Sequence, residues 1–374
     1  MTVYLFIFAI LGLIAILMEL RLTRSARLAL FCLAYLILVL FVGLRWETGN
    51  DWANYYDYYR HLTSLRDQSG DFEIGYRTTS LVIKLLGLPY TGFLLLYSSA
   101  YIGLIFLSFL DAGLEMTGWL ILALYSTYIL GMMGTPRQAM AMAICLFGVR
   151  YVLAGKLGKF LLCVAIAATF HTSALCFLLT WFLGRVRLKM RYVWIALAGL
   201  VFALILGAGP ALLESFTGFT RDVVFLEKVA ALNADPYTNH VNSTAGDPAI
   251  RLYVKQTIFL VLFICGARYL KTDREQLYFK LYLVSFAILV ILYGVNDVIA
   301  MRLSDYFSIF DIFILALFTR RIKTGAIRQV YCVMLFLLLL HGIWAGVNST
   351  KPIIFSPYKG IFINQDVRRD PGWF

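Results

Sequence analysis

The stretch "LALFCLAYLILVLFVGLRWETGNDWANYY" (Leu28–Tyr56) decides the fold. Its first part, Leu28 to Leu44, carries no charge, and Arg21, Arg24 and Arg27 precede it. A helix needs about 20 largely apolar residues to cross a bilayer. The run lacks the apolar–polar alternation of a barrel strand, so it reads as a helix whose backbone satisfies itself in lipid. It stops at Arg45, and two acids, a glycine, two tryptophans and two tyrosines follow at the point where it is expected to meet water.

The rest of the chain repeats the pattern. With 61% hydrophobic and 14% charged residues over 374 positions, it falls outside the soluble range. Further apolar runs lie near 2–20, 90–110, 118–133, 136–154, 160–184, 192–212, 252–270, 280–300, 303–318 and 330–346. The expected fold is all-α: a polytopic transmembrane helical bundle of about 10–12 spans, with residues 1–374 as a single integral membrane domain. The net charge of +12 sits in short loops between runs, which is the positive-inside pattern and not a nucleic-acid footprint. The six cysteines all fall inside apolar runs and read as small core hydrophobes. The first run has no basic leader and no clear cleavage site, so it is expected to stay as a helix. No phosphate loop, HExxH or other metal motif occurs; neither a cofactor nor a metal is expected.

Placing the basic loops inside puts both the chain start and Arg45 outside. Residues 46–88 then form an external amphipathic segment. Asn50 is expected to cap a short helix from Asp51, with Trp52, Tyr55, Tyr56, Tyr59 and Leu62 on one face, lying in the interface. Residues 76–88 read as a surface or partly inserted helix. Basic residues flank 160–184 on both sides, which two solutions satisfy. Either two half-helices meet near His171 as a re-entrant hairpin, or 76–88 is a true span and 160–184 crosses once. The hairpin is the preferred expectation. Residues 213–250 read as a long external loop able to act as a lid, and the tail 348–374 as external.

Ionisable groups in or near spans cost roughly 2.5–3.5 kcal/mol at a helix centre, so each needs a reason. Arg45 is either an interfacial anchor or part of a site on the arginine-poor side. In "GTPRQAMA", Thr135 is expected as N-cap, Pro136 as first helical residue and Gln138 as capping-box partner. That leaves Arg137 in a helix first turn, where the dipole favours an anion and disfavours a cation. Glu73 either pairs with Arg77 four residues on or stands at a site edge. His171, in "ATFHTSAL", is a packing residue, a general base or a phosphate donor. Arg302 and Asp305, in "NDVIAMRLSDYF", either pair locally or join the same site. Converging guanidiniums suit bidentate recognition of a diphosphate leaving group.

"RWETGNDWANYY" (45–56), "FEIGY" (72–76), "PRQAMA" (136–141), "FHTSAL" (170–175) and "RLSDYF" (302–307) occur in order across most of the chain. Together they resemble the EpsG family of Wzy-type polysaccharide polymerases. The resemblance implies a GT-C-like membrane glycosyltransferase in the cytoplasmic (inner) membrane, with its site facing the periplasm or outside. Its substrate is an undecaprenyl-pyrophosphate-linked oligosaccharide, and a chain-length regulator is an expected partner alongside membrane lipid. The growing glycan passes to an acceptor hydroxyl and undecaprenyl pyrophosphate leaves. Arg45, Arg137 and Arg302 are then expected on the pyrophosphate. His171, Asp51 or Glu73 is expected to take the acceptor proton, with His171 first because nearby arginines depress carboxylate basicity. Trp52, Tyr55 and Asp305 are expected to contact substrate.

Two other classes fit a polytopic chain with arginines and a histidine. An acyltransferase of surface glycans needs an acyl donor from the cytoplasm, so its arginines should face inside. A lipid-linked glycan flippase predicts repeat symmetry and midplane polar groups. No repeat is evident, and the polar residues gather at helix ends.

Overall fold

A computed structural model describes residues 1–65, 72–205, 248–292, 297–348 and 354–367. Within these, helices follow in the order α1 (Thr2–Glu19), α2 (Arg24–Gly43), α3 (Trp52–His61), α4 (Ile74–Leu85), α5 (Tyr90–Ala112), α6 (Thr117–Thr127), α7 (Ile129–Gly134), α8 (Pro136–Leu153) and α9 (Leu157–Phe170). Then come α10 (Leu179–Leu183), α11 (Met190–Ile205), α12 (Pro248–Cys265), α13 (Asp273–Leu292), α14 (Asp297–Ser308), α15 (Phe310–Arg321) and α16 (Gly325–Asn348). The described residues contain no β-strand, only isolated bridges. The architecture is a polytopic helical membrane bundle. Five helices, α1, α2, α5, α13 and α16, are long and apolar enough to cross a membrane alone, and shorter apolar helices accompany them. The loop expected at 213–250 falls almost wholly outside the described residues.

The chain divides into two compact units, Met1–Leu175 with Leu315–Phe374, and Cys176–Ile314.

In the first unit, α1 fixes two ends of contrasting chemistry. At its start, the Tyr4 hydroxyl donates to Phe355 O at 2.6 Å, and Tyr358 stacks on Phe41 with ring centres 5.0 Å apart. At its finish, Glu19 accepts from Trp119 Nε1 at 2.9 Å and pairs with Arg328 and with Arg320, the latter at 3.6 Å. Glu115 completes this basic-rich end through Arg320 and Arg27. Small residues set the helix approaches: a Cβ on Gly118 would lie 2.8 Å from Ala15 Cα.

Helix breaks fall where the sequence loses local support. Asp51, not Asn50, is the N-cap of α3, one residue later than expected. Thr135 does occupy the N-cap position of α8, but the capping box does not form. Because α7 ends immediately before it, the Thr135 hydroxyl donates back to Gly131 O at 3.1 Å instead. The helix of 157–170 stops at His171, whose extended backbone (φ −158°, ψ 118°) leads into a 3₁₀ stretch, Thr172–Leu178.

The second unit holds Arg302 and Asp305 on α14. Its α12 supplies Lys255, which pairs at 3.1 Å with the fully buried Asp311 at the start of α15. Lys280 Nζ on α13 donates to Leu183 O and Val186 O at 2.5 and 2.6 Å, closing the end of α10. Asp305 lies in the field of Lys255, Asp311 and Arg302.

Candidate functional site

The site is built where α2, α7, α8 and α9 end or begin in the first unit. Arg45 follows α2 directly and is 3% exposed. Its Nη1 donates to Val42 O at 2.7 Å and its Nη2 to Met133 O at 3.0 Å, the orphan carbonyls of two helix C-termini. A cation is favourable there, yet both partners are neutral. The buried Nε has no hydrogen-bond partner, and among the described residues no carboxylate pairs with this guanidinium. Buried charges are normally paired or metal-bound. Arg45 is the exception in this site.

The loop after Arg45 packs tightly on the same turn. Gly49 has φ +113°, and a Cβ there would lie 2.9 Å from Met133 O, so only glycine fits both the backbone and the space. Two residues beyond, Asp51 starts α3. Trp52 is 6% exposed and stacks on Tyr56 at 5.0 Å while meeting Trp46 edge-on at 4.7 Å. Its ring is a packing element between Trp46, Tyr56 and Tyr90.

Arg137 comes from the first turn of α8, four residues after the carbonyl that Arg45 holds. Its Nε donates to the Tyr55 hydroxyl at 3.1 Å, its Nη1 pairs with Glu73, and its guanidinium lies 4.7 Å from the Phe72 ring centre. The side chains of Arg137 and Glu73 keep 22% and 19% of their surface exposed, so this pair is only partly enclosed by protein. Burial pushes the Tyr55 phenol up, against the lowering pull of Arg137, so Tyr55 is a neutral hydroxyl at ordinary pH. Glu73 does not pair with Arg77. It is the extended N-cap of α4 (ψ 152°), which turns its carboxylate off the helix and toward α8.

His171 joins through the approach of α4 to α9. A Cβ on Gly75 would lie 2.8 Å from Thr169 O, so the residue two after Glu73 touches the residue two before His171. The Ser173 hydroxyl bonds His171 Nδ1 and fixes the ring. The structure thus brings Arg45, Asp51, Trp52, Tyr55, Glu73, Arg137 and His171 into one unit, on elements that touch one another. Arg302 and Asp305 belong to the other unit. Among the described residues, no group of three or more His, Cys, Asp or Glu gathers as a metal site.

Residues 28–359 match the EpsG family, nearly the whole of the region just described. The chain belongs to the EpsG family. This family is associated with polysaccharide polymerases, and the match covers all the quoted motifs from Arg45 to Phe307. No curated protein and no solved structure matches the chain. As an EpsG-family member with several membrane-spanning helices, it is a multi-pass membrane protein of polysaccharide biosynthesis.

Sequence reasoning missed two features around this candidate site. The tail segment 354–367 lies against the loop 44–48. Lys84 Nζ donates to Tyr59 O, Arg60 O and Leu62 O at 2.8, 2.8 and 2.7 Å and so closes the C-terminus of α3. The second was legible in principle, since a lysine on an amphipathic helix next to a helix end is a common terminator.

Proposed function

We propose that the chain polymerises lipid-linked oligosaccharide repeat units at the outer face of the cytoplasmic membrane, releasing undecaprenyl pyrophosphate. The observation that carries this is Arg45: a buried guanidinium held at two helix ends, with no carboxylate partner among the described residues. Such a site is electropositive by construction and is complete only with an anion. Arg137 adds a second, partly exposed guanidinium whose carboxylate partner Glu73 can yield to a phosphate of higher charge. The leaving diphosphate gains charge as the glycosidic bond breaks, and fixed guanidiniums lower that barrier.

With Nδ1–H donating to Ser173, Nε2 of His171 is the acceptor that takes the proton from the attacking sugar hydroxyl. Glu73 is engaged in its ion pair with Arg137, and the proton-accepting role is assigned to His171. Asp51 occupies the N-cap position of α3, where its carbonyl accepts from Tyr55 N, just before Trp52. Trp52 is nearly buried, so its role on substrate is to support the more open Trp46 and Tyr56 rings. Asp305 is proposed to bind sugar hydroxyls. The basic-rich end of the first unit, with Arg27, Arg320 and Arg328, is the cytoplasmic one by the positive-inside rule, which puts the Arg45 end outside.

Replacing Arg137 with alanine tests the reaction class. In protein-matched cells, a polymerase defect leaves single repeat units on the carrier at the outer face. A flippase defect strands them inside, and an acyltransferase defect leaves chain length intact. Long polymer at normal levels would rule the polymerase reading out.

A further inference from the structure

The tail touches the loop at three consecutive residues, and one residue of the tail makes all three contacts. Trp46 N donates to Lys359 O at 2.9 Å. The Glu47 carboxylate pairs with Lys359 Nζ. The Thr48 hydroxyl donates to Lys359 O at 3.1 Å. Ile361 N returns a bond to Leu44 O at 3.0 Å, making an antiparallel bridge between Arg45 and Gly360. Tyr358 anchors the strap below, its hydroxyl donating to Phe41 O at 2.7 Å. Lys359 itself is 7% exposed, although it lies more than 300 positions from its partners.

Glu47 gives this contact a purpose. Its φ is +43°, a left-handed conformation that non-glycine residues adopt only when their surroundings impose it. The residue before it, the residue itself and the residue after it are all held by Lys359. The strained turn places an acid two residues from Arg45, where an unmatched carboxylate would oppose any anion the guanidinium attracts.

We propose that Lys359 is a positioning residue. It holds the turn 46–48 in its strained shape and cancels the Glu47 charge, so that the loop offers the Arg45 charge to a diphosphate. The proposal rests on the polymerase reading for the nature of the ligand, but its geometry does not.

The test uses full-length protein in nanodiscs, with undecaprenyl pyrophosphate as the probe. Lys359→Met is expected to weaken binding about tenfold, the effect of one uncompensated charge near an anion at moderate effective dielectric. Lys359→Arg restores binding, because it keeps the charge that pairs with Glu47. Combining Lys359→Met with Glu47→Gly also restores it, since glycine removes both the acid and the backbone strain. A strap that only stabilises the fold predicts a lower melting temperature with unchanged affinity per folded molecule, and that result overturns the proposal. If the unaltered protein does not bind the probe, the diphosphate reading fails instead. The strap is then judged by amide exchange over 44–48, where equal rates in Lys359→Met and the unaltered protein overturn it.

Discussion

Replacing Arg45 with methionine separates a brace from an anion site. Methionine keeps an unbranched apolar stem but removes the charge and both donors. The two charge-assisted bonds to Val42 O and Met133 O would be lost, at about 1.5–3 kcal/mol each, or roughly 3–6 kcal/mol together. Against this stands the cost of a buried guanidinium with no counter-ion among the described residues, several kcal/mol by itself, which the substitution relieves. The two terms nearly cancel, so folding stability should change by no more than about 2 kcal/mol. Transition-state stabilisation has no such compensation. Loss of one fixed donor to a developing anion typically costs about 10²–10³ in rate. The expected result is a polymerase with near-normal melting temperature and a rate down by that factor, measured per folded molecule in nanodiscs on lipid-linked repeat units. A melting temperature that collapses while the residual folded fraction works at full rate would refute the argument, because Arg45 would then be a helix-end brace and nothing more.

Other substitutions probe the elements around it. Gly75→Val forces a side chain into Thr169 O and should cost about 1–3 kcal/mol by prising α4 from α9, read as a lower melting temperature and a weaker hold on His171. Lys84→Met uncovers three carbonyls at the end of α3, so amide exchange or proteolysis after His61 should rise while α5 stays protected. Ser173→Ala frees the His171 ring; a loss of about fivefold in kcat with KM unchanged fits one orienting hydrogen bond of about 1 kcal/mol.

Much of the scaffold is readable from local chemistry. The uncharged run ending at Leu44, the Thr135–Pro136 junction and the polar triplet at His171 all mark helix ends because they depend on near neighbours: lipid-length runs, proline at a first turn, groups that compete with the helix ladder. The short helix of aromatic residues is likewise a periodicity; its N-cap moves by one residue, and Tyr58 rather than Tyr56 is buried with Trp52, Tyr55 and Tyr59. Partner choice is less legible. Glu73 prefers Arg137 to Arg77 because a helix N-cap projects sideways, a fact of tertiary placement. The burial of Arg45 depends on α7 ending at its side, and the clamp of Lys359 on Glu47 joins positions 312 apart. Lys255 and Asp311 are similar: each looks like a lone charge near a span end until α12 and α15 are packed.

The most direct measurement is a structure of the full-length protein in a lipid nanodisc with undecaprenyl pyrophosphate bound. The account predicts phosphate oxygens about 2.7–3.2 Å from the Arg137 guanidinium, at the end of the first unit where the strap meets Arg45, with Glu73 displaced from its pair. A diphosphate found instead among Arg320 and Arg328 at the opposite end, with Arg137 still closed on Glu73, would contradict it.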